Sequence, residues 1–581
     1  MTHSNWIERL FRPGSTAAHD VRVDLYWLLG LGLLLIATGI GLRDPWPADE
    51  PRFALVARDM VATGEWLLPR VGGQPYADKP PLFFWMIALG LQASHALRLA
   101  FLLPSLLSGL GCVVLVYDLA RRLWNRETGL AAGFALLFTV QFVWQARQAQ
   151  IDATLCFWTT LGLYGLLRHL LLGPQWRWYA VGWAAAGFGV ITKGVGFLPL
   201  LVLLPYAVLR PPRWTPRYTS PASARWLIGP LAFVLAVSVW LVPMLLAARS
   251  DPSLAAYRDE ILFRQTVDRY ANAWHHREPF WYFLVQVIPA LWLPLTALLP
   301  WMVGRWREAL RARDLRIALL LVWVVLVLLF FSFSTGKRGV YVLPAVPALA
   351  LACAPYLIDL ARRVSVERTM FWLAGAIGIL CALGAGYLLV RPDKRVDVLT
   401  SYQIDALDPL IAIAIASAVV CALARPRRGF IAFGGTLAGA LMIVSFWVNP
   451  AMNDVRSGRS FVTRVESTAD PSRELGWVAF KEQYLLNAAR PVVHFGHARW
   501  REAEQEAADA ALWLSQDPSR QLVVSDRVRG ACFSAARAAP VGSANDIDWF
   551  VVSGEADPGC VARGKPGVAR SYAPPGTRAS T

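Results

Sequence analysis

The chain has 581 residues, of which 56% are hydrophobic and only 17% charged, where soluble domains carry about 25% charged residues. That composition excludes intrinsic disorder and argues against an ordinary soluble enzyme. Lys and Arg outnumber Asp and Glu by 57 to 40, a formal charge of +17, and the placement of those charges decides between a nucleic-acid partner and a membrane.

A hydrocarbon core about 30 Å thick needs roughly 17–25 mostly apolar residues per helix. Such stretches recur from Tyr26–Leu42 to Ile431–Val448. About thirteen spans are predicted, at 26–42, 97–117, 129–146, 151–172, 178–192, 195–209, 227–247, 280–303, 317–333, 339–358, 369–390, 409–424 and 430–448. Ahead of them, Arg9, Arg12, Asp20 and Arg22 precede an apolar block with no small-residue cleavage pattern, which reads as an uncleaved signal anchor. Basic clusters then fall in alternate loops: Arg121/Arg122/Arg126, Arg210/Arg213/Arg217/Arg225, Arg305/Arg307/Arg311/Arg313/Arg316, Arg362/Arg363/Arg368 and Arg425/Arg427/Arg428. The positive-inside bias makes that side cytoplasmic, with the N-terminus. The excess charge is therefore topological, and no nucleic-acid partner is expected. An odd number of spans puts the segment after Val448 in the periplasm.

Residues 1–448 thus read as a transmembrane domain and 449–581 as a second one. In the tail, Pro491–Phe495, Gln521–Ser525 and Trp549–Val552 read as strands and Trp500–Ser515 as an amphipathic helix. A small α/β domain is predicted, disordered after about residue 566. Cys112, Cys156, Cys353, Cys381 and Cys421 lie within spans as small apolar residues. Cys532 and Cys560 lie in the tail, where an oxidising exterior lets two thiols pair.

Two exterior loops are longer than the rest. The first, 43–82, holds Asp49, Glu50, Arg52, Arg58, Asp59, Glu65, Arg70, Asp78 and Lys79. Within it, Pro51–Thr63 sets Phe53, Val56, Ala57, Met60 and Val61 on one helical face, the pattern of a helix lying in the membrane interface. Asp49-Glu50-Pro51 admits two readings: a capped helix start, or a carboxylate acting as general base or cation stabiliser. Lys79-Pro80-Pro81 is either a snorkelling lysine or a phosphate ligand aimed by two prolines. The second loop, about 248–279, contains Arg258, Arg264, Arg269, His275, His276 and Arg277. Adjacent histidines point apart and no third ligand is spaced for a metal, so they read as surface residues.

The run Asp49-Glu50-Pro51-Arg52 through Asp59-Met60, then Gly64-Glu65-Trp66, Pro69-Arg70 and Asp78-Lys79-Pro80-Pro81-Leu82, resembles the first exterior loop of the polyprenol-phosphate-sugar-dependent membrane glycosyltransferases. Within that superfamily it is most similar to the bacterial lipid A aminoarabinose transferases, and more distantly to the protein O-mannosyltransferases. Arg147 through Asp152, Thr192-Lys193-Gly194, and Ser332 through Lys337 followed by Tyr341 and Pro344 extend the resemblance over roughly residues 20–450. It implies an α-helical polytopic protein of the GT-C type. It also implies that Asp49 is the essential acid with Glu50 its neighbour, Asp152 a second exterior carboxylate, and Lys79 and Arg264 ligands of the lipid phosphate. Arg52 and Lys337 join that phosphate set, and Tyr341 matches a phosphate-contacting tyrosine. The Thr335-Gly336-Lys337-Arg338-Gly339 stretch departs from the usual pattern after the lysine, so Tyr341 also reads as an interfacial aromatic.

The expected function is an inner-membrane glycosyltransferase that moves a sugar, such as 4-amino-4-deoxy-L-arabinose, from undecaprenyl phosphate to a periplasmic acceptor such as a lipid A phosphate. Protein or glycan O-glycosylation is the alternative acceptor chemistry. A lipid donor needs no nucleotide, in keeping with a sequence that carries no Gly-rich phosphate loop, and no metal or cofactor is expected. A transporter is the rival class, but it calls for ionisable residues at mid-membrane and paired halves, and neither is evident.

Overall fold

In a computed structural model, residues 17–209, 223–262, 277–497, 499–544 and 546–575 are described. Helical backbone coincides with each of the thirteen apolar stretches. Among the described residues, seven helices are individually long and apolar enough to cross a membrane: Leu97–Leu123, Ile151–Leu172, Ala224–Ala247, Leu315–Phe333, Val364–Val390, Leu407–Ala424 and Gly429–Thr468. Two bent pairs, Arg126–Leu137 with Val140–Ala146 (68°) and Phe283–Leu291 with Thr296–Arg311 (96°), bring the number to as many as nine where each pair counts as one broken span. Shorter apolar helices include Leu198–Leu209 and Ala345–Ala361. Large side chains such as Val390 (78% exposed) and Leu423 (76% exposed) face outward from these helices. An apolar outer surface of this kind suits acyl chains and would aggregate in water.

Small residues set the closest packing. A Cβ on Gly165 would lie 2.4 Å from the Trp178 carbonyl oxygen, and one on Gly182 would lie 3.0 Å from the Gly162 carbonyl oxygen. Helices Ile151–Leu172 and Trp176–Thr192 therefore meet backbone to backbone, as small-residue seams allow in membranes. Because this hairpin is antiparallel, the start of its first helix lies beside the end of its second. Asp152 and Lys193 occupy those two ends.

The 43–82 loop folds as its charge pattern suggests, into helix Glu50–Thr63 and a short hairpin of β1 (Arg70–Val71) with β2 (Gln74–Pro75). A further helix, Leu82–Ser94, was not predicted, because thirteen residues are too few to span. The tail carries a six-stranded sheet of β3 (Glu474–Trp477), β4 (Val492–His494), β5 (Arg520–Ser525), β6 (Arg537–Ala544), β7 (Ile547–Ser553) and β8 (Arg570–Tyr572), in the order β6-β7-β5-β3-β4-β8. The β3 pairings with β4 and β5 are parallel and the others antiparallel. Cys532 and Cys560 are bonded, with their Cα atoms 5.7 Å apart. The expected disorder after residue 566 is corrected for residues 567–575, and the rest of that stretch lies outside the described residues. Strand β8 pairs with β4, and Tyr572 is buried, its hydroxyl bonded to Asp59 at 2.8 Å.

One apolar core joins loop and tail: Phe53, Tyr76, Phe83 and Phe84 pack in the same cluster as Phe461, Trp477, Tyr484, Trp549 and Tyr572. Polar contacts ring it. Arg58 donates to the Leu486 carbonyl at 2.7 Å and to the Tyr572 hydroxyl at 2.8 Å. Asp44 gathers Arg98 (2.7 Å), Arg459 (2.9 Å) and the Asn453 amide (2.9 Å).

Candidate active site

Asp49 immediately precedes helix Glu50–Thr63, and Pro51 sits in the first turn where its missing N–H costs nothing. The helix-cap reading nevertheless fails for the side chain, which makes no capping bond. Asp49 Oδ2 instead accepts a hydrogen bond from Arg338 Nη2 at 3.2 Å, and Arg52 Nη1 stands 4.0 Å from Oδ1.

At the mouth of the helical hairpin, Lys193 Nζ donates to Asp152 Oδ1 at 2.5 Å. The same ammonium lies 4.3 Å from the centroid of the Tyr341 ring, within cation–π range. Arg338 feels the charges of Asp49, Asp152 and Tyr341 together. Asp49, Arg338, Tyr341, Lys193 and Asp152 are thus linked through successive interactions, drawn from the first loop, the mouth of the hairpin and the segment after helix Leu315–Phe333. The Asp152 and Lys193 side chains are only 8% and 15% exposed, so little water weakens their attraction.

That turn is fixed from both sides. Lys337 is buried and donates to the Glu278 carbonyl at 2.7 Å, while Gly336 bridges to Arg277. The Gly339 carbonyl accepts from Gln141 Nε2 at 2.8 Å, and Gln141 Oε1 accepts from Trp292 Nε1 at 2.6 Å. Burial lowers the Lys337 pKa, opposed by nearby Glu278.

Lys79 closes the loop in front of Pro80 and Pro81, and its ammonium meets the Asp78 carbonyl at 3.2 Å. Tyr76, buried and held above its ordinary pKa by that burial, interacts electrostatically with Asp78, Arg52 and Asp49. It therefore links the Lys79 end of the loop to the Asp49 end.

Three of the sequence candidates are engaged elsewhere. Glu50, expected beside Asp49 as a catalytic neighbour, is 5% exposed. Its carboxylate binds the Arg43 guanidinium, with Nη2 at 2.8 Å, and accepts from the backbone N–H groups of Trp46 (2.9 Å) and Ala149 (3.0 Å). These bonds tie the start of the helix to the 43–46 segment and to Ala149. Arg52, expected on the lipid phosphate, donates to Glu482 of the tail at 2.6 Å and lies over the Tyr76 ring. Lys337, expected in the same phosphate set, spends its ammonium on the Glu278 carbonyl. Arg264, Arg269, His275 and His276 lie outside the described residues.

Arg338 and Lys193 were not among the site candidates. The available signal was sidedness: both stand at the exterior ends of predicted spans, where the positive-inside bias disfavours basic residues.

Titratable groups of the tail seam are displaced from their ordinary ranges. Burial works against the Glu482 charge, but the hydrogen bond from His497 (2.9 Å) and the Arg52 guanidinium outweigh it and bring its pKa down to about 2. Burial pushes Asp59 up to about 6 against the pull of Tyr572 and Arg58. Burial brings His494 down to about 4, with Arg570 and His497 adding to it and the Gly72 carbonyl, 2.7 Å from Nε2, opposing.

Fold and site together define a class. Residues 78–242 match the family described as "Dolichyl-phosphate-mannose-protein mannosyltransferase". The fold is that of ArnT from Cupriavidus metallidurans solved with undecaprenyl phosphate, with TM-score 0.69 and 22% identity over 95% of this chain and all of that one. The resemblance of the motifs to the polyprenol-phosphate-sugar-dependent membrane glycosyltransferases is borne out. More particularly, the chain is similar to "Undecaprenyl phosphate-alpha-4-amino-4-deoxy-L-arabinose arabinosyl transferase 1" of Pseudomonas fluorescens strain Pf-5. The two are 33% identical over 371 residues, 60% of this chain and 64% of the relative. It is also similar to the corresponding transferase 2 of P. fluorescens strain Pf0-1, 29% identical over 436 residues, which cover 72% of this chain and 74% of that one. The match thus spans less than two thirds of the first relative's length.

Proposed function

We propose that this protein is an inner-membrane glycosyltransferase that moves 4-amino-4-deoxy-L-arabinose from an undecaprenyl-phosphate carrier to a lipid A phosphate in the periplasm. The observation that carries this reading is the grouping of Asp49, Arg338, Tyr341, Lys193 and Asp152 at helix ends, in a fold shared with a transferase solved with undecaprenyl phosphate. The thirteen apolar stretches are then thirteen crossings. They leave the N-terminus in the cytoplasm and residues 449–581 outside as an α/β domain that clamps the first loop.

In the reaction, an acceptor phosphate oxygen bonds to the anomeric carbon of the sugar. The bond from that carbon to the donor phosphate breaks, and its electron pair leaves with undecaprenyl phosphate. Negative charge grows on the leaving phosphate, so fixed cations stabilise the transition state more than the ground state. Lys79 and Arg264 fill that role, with Tyr341 as a hydroxyl donor. Asp49 and Asp152 face the carbon as it becomes cation-like. A phosphate monoester, with a second pKa of about 6, is already ionised near neutral pH. Asp49 then acts as a charge stabiliser, whereas a hydroxyl acceptor would require it as a base.

The test uses the full chain purified in detergent, labelled undecaprenyl phosphate-aminoarabinose and lipid A. Label is expected on lipid A, and Asp49→Asn is expected to slow its appearance by about 10²–10³. Label on a protein or glycan hydroxyl instead, the outcome suggested by the mannosyltransferase match at 78–242, would overturn the acceptor. Absence of transfer from any polyprenyl donor would overturn the reaction.

A further inference from the structure

We propose that Arg338 is the residue that binds the phosphate of an anionic acceptor and so selects phosphate over hydroxyl acceptors; this rests on the glycosyl-transfer reading above. Its presentation is the first reason. The side chain on either side in the sequence is neutral or engaged: Gly339 has none, and Lys337 is buried against the Glu278 carbonyl. With the turn pinned by Glu278 on one flank and Gln141 on the other, Arg338 is its charged side chain that turns toward the carboxylates.

Its bonding is the second reason. Of its guanidinium donors, one Nη2–H meets Asp49 Oδ2 at 3.2 Å, and the side chain remains 42% exposed. A planar fork that spends one edge on a carboxylate keeps another for a bidentate phosphate contact. Arg52, the other cation beside Asp49, is at 4.0 Å and is itself bonded to Glu482 at 2.6 Å, so it offers no comparable open edge.

The third reason is electrostatic. An anionic acceptor must approach a site that already holds Asp49 and Asp152, both within the electrostatic reach of Arg338. A cation bridging Asp49 and the incoming phosphate removes that repulsion; a neutral hydroxyl has no need of it. In a displacement at the anomeric carbon, the entering oxygen and the leaving phosphate lie on opposite sides. With Lys79 and Arg264 assigned to the leaving phosphate, a guanidinium bonded to Asp49, the carboxylate that faces the carbon, is assigned to the acceptor's side.

Donor and acceptor both present phosphate, so steady-state kinetics on the full-length protein must separate them. The probes are lipid A as acceptor and undecaprenyl phosphate-aminoarabinose as donor, each varied at saturating levels of the other. For Arg338→Gln, the acceptor KM is expected to rise at least tenfold while the donor KM stays within twofold, and Arg338→Lys is expected to recover part of the loss. An unchanged donor KM also certifies a folded site. A rise confined to the donor KM, or a fall in kcat with both KM values unchanged, would overturn the proposal: the first assigns Arg338 to the donor phosphate, the second to holding Asp49. If the wild-type protein transfers nothing to lipid A, the reading of function fails instead, and the two failures are distinct.

Discussion

The seam between the first exterior loop and the tail should respond to pH through two groups of opposite sign. His494 is fully buried on β4 and faces the Gly72 carbonyl at 2.7 Å. Its pKa is about 4, against 6.5 for an ordinary histidine, so it stabilises docking above pH 6.5 and loses that contribution as pH falls through 4. Asp59 behaves in reverse. Its pKa is about 6 against 3.8, so its contribution is complete below 3.8 and is lost as pH rises through 6. At about 1.4 kcal/mol per pH unit, each separation corresponds to roughly 3 kcal/mol. The two windows overlap between pH 4 and 6, where the effects nearly cancel. Glu482, at about 2, contributes fully above pH 4.5 and loses its contribution as pH falls through 2, so that only the start of that loss, between pH 4.5 and 4, falls within this window. Wild-type protection of 70–76 and 490–496 in hydrogen exchange, corrected for the intrinsic rate, should therefore change little from pH 6.5 to 4. His494→Gln, which keeps a donor for Gly72, should expose the Asp59 dependence, with protection rising on the order of 100-fold on acidification. Asp59→Asn should expose the His494 dependence, with a fall of similar size. If both variants track the wild type across this range, the two groups do not control docking.

Two neighbouring carboxylates should separate cleanly by assay. Asp49→Asn should lower kcat by about 10²–10³ with the melting temperature unchanged, since its side chain caps no helix. Glu50→Gln should do the opposite, destabilising the fold by about 3–5 kcal/mol as the buried Arg43 charge loses its partner, while activity per folded molecule is largely retained. Breaking the Asp152–Lys193 pair should show strong coupling. Asp152→Asn and Lys193→Met each strand a buried charge, so the double variant should lose less stability in thermal denaturation than the two single losses added. Additive losses would show that the pair is not an interacting unit.

Much of this architecture is written locally and is therefore legible in the sequence. Apolar length marks the long helices, and Asp49-Glu50-Pro51 marks the helix start, because each signal acts within a few residues. Partner choice is not local. Nothing near Arg52 announces Glu482, 430 residues away, and nothing near Asp49 announces Arg338, 289 residues away; both pairs exist only once the helices have packed and the tail has docked. Strand β8 escaped for the same reason. Three residues with two exposed members carry no strand signal of their own, and their order comes from pairing with β4 and from Tyr572 reaching Arg58 and Asp59.

A physical consequence follows for how the site is held. The loop bearing Asp49 and Lys79 lies between apolar helices rather than within one, and under the proposed function a displacement of about 1 Å at reacting groups would cost on the order of 100-fold in rate. Its rigidity must come from what covers it. The tail supplies this from three directions: Glu482 on Arg52, His494 on the Gly72 turn, and Leu485, Leu486 and Tyr572 on Arg58. Under the proposed function the sheet would act on the reaction by holding the loop still; among the described residues, none of its groups joins the Asp49–Arg338 pair directly.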